Sequence, residues 1–347
     1  MKDGEIIEGY ALSDAQYLAK IEKIKKSVDI PLSTCMYSDC KHKPIFSHVF
    51  QKESVLRNIS TDGKVMAFAY RDLFTVLRDE LPICYKEVGI NNSFGFYGFC
   101  PEHDNSIFAV IEPRNEQVDW YDKHNQYLLG YRTLCREYYI QLATKRIFRK
   151  CLDTFVYPTE LTFRYLQSIS NCNASISIFN KYKGLFEDGI KNKNYSRYSF
   201  KVTELPFKLE LCIASPINIR EESKGLYFGP DKNKITDTVN IIDIFPCKGR
   251  TIIIIGFLEG EKNLWATEIY QMLRSDDLED ICIALQDILF RSEFHCMSKK
   301  LYNEIESEIS FFLQEWEKLL GCHNYALSYK SNIFRKYIKK LLGYNSD

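Results

Sequence analysis

Two short ligand pairs constrain this chain more than any other feature. Cys35 and Cys40 bracket a tight polar turn in "CMYSDC", and Cys100 and His103 stand two spacers apart in "GFCPEHD". Thiolate and imidazole are ligands zinc prefers, four at a time and tetrahedrally, with two close pairs as the usual arrangement. The second spacing sets its members one turn apart at a helix start, so both can reach one ion. Sharing that ion closes segments 60 positions apart on a single point and makes the stretch between Cys40 and Cys100 an insertion. Structural Zn2+ is therefore the expected cofactor. His42 is a reserve ligand, whereas Cys84 in "LPICYKE" lacks a neighbouring ligand and reads as core.

Composition limits what surrounds such a site. Basic and acidic side chains balance at 46 each, which speaks against indiscriminate gripping of a phosphate backbone while leaving room for a local patch. The opening "MKDGEIIEGYALSDAQ" has no apolar leader core, so the 12 cysteines read as reduced thiols of a cytoplasmic protein. No run reaches the roughly 18 apolar residues a membrane span needs, and "TIIIIGFL" has the length of a buried strand.

Periodicity gives an α+β chain of two domains, residues 1 to 155 and 156 to 347. Residues 11 to 28 read as a helix with Tyr17, Leu18, Ile21 and Ile24 on one face and Ser13 as N-cap. "ESVLRNIS" is helix-like, "KVMAFAY" is a strand, and residues 71 to 92 form a connection. From 119 to about 152 runs the strongest helical pattern: Leu128, Tyr131, Cys135, Tyr138 and Leu142 share a stripe, and Arg132, Arg136, Lys145, Arg146 and Arg149 make a solvated face. Near residue 172 the pattern turns β-rich, with "NASISIFN", "YSRYSFKVTEL", "FKLELCIAS", "NIIDIFPC" and "TIIIIGFL" as strand candidates. Helices return at 264 to 290 and 298 to 320, and the basic amphipathic tail "SNIFRKYIKKLLGYNSD" is expected to dock on its own domain.

Between the ligand pairs, "KPIFSHVFQKESVLRNIS" suggests a strand delivering His48. The order of a Cys pair, a strand-borne histidine, an asparagine (Asn58 or Asn91) and a second pair opening a helix resembles the zinc-supported HNH, or ββα-metal, nucleases with a treble-clef core. That resemblance implies a divalent-metal-dependent endonuclease, possible work in anti-phage or plasmid defence, and roles for particular residues. His48 would be the general base, Asp104 would hold catalytic Mg2+ or Mn2+, and Asn58 would complete the site. Lys41, Lys43, Lys52 and Arg57 would line a basic groove for nucleic acid. Ser47 stands where the family commonly has an acidic residue or a second histidine. The motifs Cys-x4-Cys, SH and GFCxxHD are also similar to those of a group of bacterial proteins over about residues 35 to 150; that likeness supports fold and site and brings no reaction with it.

A rival expectation is a non-catalytic zinc-binding module for protein or nucleic-acid interaction. His124, His295 and His323 stand alone, no base is evident for Ser215, and "GLYFGPDKNK" is unlike a phosphate-binding loop. The second domain is expected to recognise or assemble with a partner, either a protein or nucleic acid.

Overall fold

The computed structural model describes residues 14–28, 34–70, 83–113, 118–154, 159–220, 237–261, 263–319 and 332–343. In chain order the elements are α1 (Asp14–Val28), β1 (Phe46–His48), a π-helical turn (Lys52–Leu56) running into Arg57–Ile59, β2 (Lys64–Tyr70), β3 (Ile83–Gly89), β4 (Gly95–Tyr97) and α2 (Pro101–Phe108). There follow α3 (Lys123–Thr154), α4 (Thr159–Asn192), β5 (Tyr198–Leu205), β6 (Leu211–Arg220), β7 (Asp237–Cys247) and β8 (Arg250–Leu258). The chain closes with α5 (Leu264–Leu273), α6 (Leu278–Arg291), β9 (His295–Met297), α7 (Lys299–Leu319) and α8 (Arg335–Leu341). This is an α+β chain. Its contacts group into two compact units whose segments interleave, 1–47, 96–109 and 134–192 against 48–95, 110–133 and 193–347. That grouping is not a single division at residue 155.

The first unit is mostly helical. Ile21 and Ile24 of α1 are buried as expected, while Ser13 and the side chains of Tyr17 and Leu18 lie outside the described residues. "NASISIFN" is not a strand; it lies within α4. Its Ser–Ile alternation mimics a strand period, but Tyr165, Ile169, Cys172, Phe179, Tyr182 and Phe186 are buried at helical spacing and decide the conformation. Lys150 of α3 donates to Ser27 of α1 at 2.8 Å, and Phe148 packs on Tyr165 of α4 at 5.4 Å between centroids. Leu128, Tyr131 and Cys135 of α3 are buried, yet so are Arg132 and Arg136, so only the end carrying Arg146 and Arg149 has the solvated basic face.

A small aromatic cluster underlies the ligand segments. Phe99 packs on Phe108 at 5.0 Å and on Phe96 at 6.1 Å, and Phe96 also meets Tyr139. Gly98 sits within it: a Cβ there would lie 2.2 Å from the Phe96 ring, while the Gly98 carbonyl accepts from Met36 at 2.7 Å. Gly98→Ala is expected to destabilise the first unit by about 1–3 kcal/mol, the usual range for overpacking, read as a lowered denaturation midpoint.

The second unit is built on a seven-stranded sheet of order β3-β2-β9-β6-β7-β8-β5, every neighbouring pair antiparallel. The expected connection at 71 to 92 is in part strand: β3 pairs with β2 from Lys64↔Gly89 to Tyr70↔Ile83. Alternate residues on the central strands face opposite layers. Ile213, Ile242, Ile244, Ile253 and Ile255 join Trp265, Ile269, Leu285, Ile288 and Leu301 from the helices in one apolar core. The tail docks into the same core through Ile333, Phe334, Tyr337 and Ile338, and Arg335 pairs with Glu279. Burying one such side chain is worth about 1.5–3 kcal/mol, so four anchor α8 firmly. On the sheet's other layer Phe245 meets Trp120 at 4.9 Å and Phe50 at 5.4 Å, and Asp243 accepts from Thr133 at 2.6 Å. Among the described residues no helix is long and apolar enough to cross a membrane.

Candidate metal centre

The four expected ligands converge within the first unit. Cys35 Sγ, Cys40 Sγ, Cys100 Sγ and one ring nitrogen of His103 all lie within 4.8 Å of one another. Cys40 and Cys100 sulfurs are 3.9 Å apart, and His103 Nδ1 is 3.3 Å from Cys100 Sγ and 3.6 Å from Cys35 Sγ. Tetrahedral zinc with its ordinary bond lengths demands about 3.8 Å between sulfurs and about 3.6 Å from sulfur to nitrogen. The donor set fits that ion, with Nδ1 as the imidazole ligand.

Local chain geometry explains the convergence. The first pair sits on a turn closed by Cys40 N–H to the Tyr37 carbonyl at 3.1 Å and Cys35 N–H to the His42 carbonyl at 2.7 Å. Asp39 takes a left-handed φ of 66° to complete it, which a short polar side chain tolerates. Cys100 precedes Pro101, the first residue of α2, and its N–H points at Cys35 Sγ from 3.3 Å. Burial pushes the Cys35 thiol up to about 12, with the Cys100 and Tyr37 backbone hydrogen bonds opposing. A divalent cation supplies the positive charge that makes such buried thiols ligate as thiolates.

Around the ligands lies a support that sequence pattern does not reveal. The Tyr37 ring stacks on His103 at 4.3 Å, and Lys191 of α4 lies 5.6 Å above Tyr37. Ser38 donates to Glu187, which is itself buried and paired with Lys183 at 2.7 Å. Ser38 and Glu187 are separated by 149 positions, and no spacing rule connects them. The reserve ligands take no part: His42 is exposed and 3.8 Å from Glu102, and Cys84 is on β3 of the second unit.

The residues implied for catalysis are placed as follows. His48 ends β1, half-buried, and its Nε2–H donates to the Asn91 carbonyl at 3.0 Å. Desolvation holds its pKa below the usual imidazole value, with Lys52 and Arg132 adding to the effect against the Asn91 and Ile90 carbonyls. Lys52 Nζ in turn donates to Asn91 Oδ1 at 3.2 Å, so Asn91 rather than Asn58 is the asparagine joined to His48 in this network. Asn58 donates to the Ser54 carbonyl at 2.5 Å and accepts from Lys208 at its own carbonyl at 2.8 Å. Asp104 is in the first turn of α2, its N–H bonded to the Cys100 carbonyl at 2.8 Å, and it belongs to the first unit whereas His48 belongs to the second. Lys41 and Lys43 are exposed on the first unit; Lys52 and Arg57 are on the second, where Glu53 pairs with Arg57 at 2.7 Å. No protein-family model, curated protein or solved structure matches this chain.

Proposed function

We propose that this chain is a non-catalytic zinc-binding module of treble-clef type that presents its Cys35–Cys40 turn to nucleic acid. The observation that carries the reading is the Cys3His set: four protein ligands complete a tetrahedral shell and leave no position for water or substrate, the mark of a structural zinc. The order of turn, β1, β4 and a ligand pair opening α2 supports the treble clef. Near the ligands in sequence, Lys41 and Lys43 are exposed and Ile45 and Phe46 are each 39% exposed, basic and apolar side chains of the kinds that meet a phosphate backbone and unstacked bases. His48, with its Nε2–H on a main-chain carbonyl, is assigned to pinning β1 to the Asn91 segment.

A single experiment separates this from the nuclease reading. Labelled single-stranded DNA and RNA are titrated with protein at low salt, and the same mixtures are incubated with Mg2+ or Mn2+ and run on a gel. The expected result is binding that weakens about tenfold in Lys41→Ala/Lys43→Ala with zinc content unchanged, together with intact oligonucleotide. Cutting that disappears in both His48→Ala and Asp104→Asn would replace the module by a nuclease. Absence of binding would leave the exposed face to a protein partner.

A further inference from the structure

A cavity of about 280 Å3 opens within the second unit, and none of the four candidate ligands lines it. Phe50, Trp120 and Phe245 form an aromatic wall, and most of the remaining lining is aliphatic. Trp120 and Phe50 each pack against Phe245, which is 1% exposed at the end of β7, so the wall is held by the sheet. Asn58, singled out above for chemistry, lines the rim instead. It projects from the segment that begins as a π-helical turn, a rare conformation that recurs at functional sites.

Charge on the lining is one-sided. Lys248 is its single formal charge, and no carboxylate lines the cavity. Among the described residues Lys248 has no hydrogen-bonding or ion-pair partner. The neighbouring Cys247 remains a neutral thiol, since burial pushes its pKa up. The position of Lys248 is set by backbone: Lys248 and Gly249 take φ of 49° and 77° between Cys247 and Arg250, the type I′ turn of a two-residue hairpin. That first place ordinarily favours Asn, Asp or Gly, because a longer side chain is strained in the left-handed region. Other polar groups nearby are spent, Gln51 donating to the Pro113 carbonyl at 3.2 Å and accepting from Ser54.

From this wall and this cation we infer that the cavity binds a small aromatic anion, a ring-bearing carboxylate whose ring lies along Trp120 and Phe245 and whose acid group meets Lys248. The volume is at the small end of ligand pockets, which run about 300–1,000 Å3, and so excludes large ligands. Asn58 and the π-helical turn would then set the mouth of a ligand site.

The test uses the full chain and calorimetric titration with 2-naphthoate, with neutral 2-naphthamide as comparator. Saturable one-to-one binding of naphthoate is expected, with naphthamide at least tenfold weaker. Lys248→Gln, a change at an exposed position, should reduce naphthoate to the naphthamide level and leave naphthamide unchanged. Ser54→Trp, placed at the exposed mouth, should weaken both probes. Absence of naphthoate binding, equal affinity for the two probes, or full naphthoate affinity in Lys248→Gln would each overturn the assignment.

Discussion

Purified protein is expected to carry close to one zinc per chain, and Cys100→Ser to reduce that to well below half. Cys100 is fully buried and touches the site twice, through Sγ toward Cys40 and His103 and through its N–H toward Cys35 Sγ. Structural zinc contributes about 10–16 kcal/mol to the folding of finger peptides at neutral pH. That rivals the net stability of a whole domain, about 5–15 kcal/mol. Losing the ion should therefore open the first unit around residues 35–42 and 98–104, seen as faster amide exchange there, while the sheet of the second unit stays protected. Cys84→Ser, a half-buried cysteine outside the cluster, should keep full zinc. Metal analysis returning no zinc on folded wild-type protein would refute the centre.

The second large effect is on pH. Asp243 is buried on the sheet face, accepts one hydrogen bond from Thr133, and burial raises its pKa from 3.8 to about 7. A carboxyl raised on folding binds its proton more tightly in the native state. Its contribution is thus complete below the unfolded value and is lost as pH climbs through the native one. Three units correspond to about 4 kcal/mol across the whole range, of which about 2–3 kcal/mol falls between pH 5 and pH 8. Asp243→Asn keeps an acceptor for Thr133 and carries no charge. It should remove most of that slope and leave the variant more stable than wild type at pH 8. Denaturant midpoints measured for both proteins at the two pH values decide the matter, and parallel slopes would show that Asp243 does not titrate in this window.

The metal ligands were legible because their chemistry is residue-specific: few other roles place two thiols five positions apart and a thiol and an imidazole at a helix start. The α3 helix was legible through its repeat, and α8 through an apolar face that has to be covered. What failed did so for identifiable reasons. In α4 the alternation of Ser175, Ile176, Ser177 and Ile178 matches a strand locally, and only the longer stripe from Tyr165 to Phe186 shows a helix. In β3 the charged Lys86 and Glu87 hide a strand whose identity comes from its partner β2. Arg132 was assigned to solvent by type, yet it is 1% exposed and paired with Glu112 at 2.5 Å. A pair whose guanidinium is buried and whose carboxylate is half-buried is a tertiary fact that no local pattern encodes. The Ser38–Glu187–Lys183 support of the Cys35–Cys40 turn is invisible in sequence for the same reason.

The place of β9 has a consequence for how this protein must be made. Its three residues stand between β2 and β6, with Met297 opposite both Met66 and Leu211. The ribbon of β2 and β3 leaves the ribosome early but finds its neighbour only about 210 residues later, roughly 10–40 s at ordinary elongation rates. Throughout that wait the β2 flank is an open template for another nascent chain. The Lys64–Glu87 pair across the ribbon, together with Lys86, gives it charge that discourages such pairing until β9 arrives.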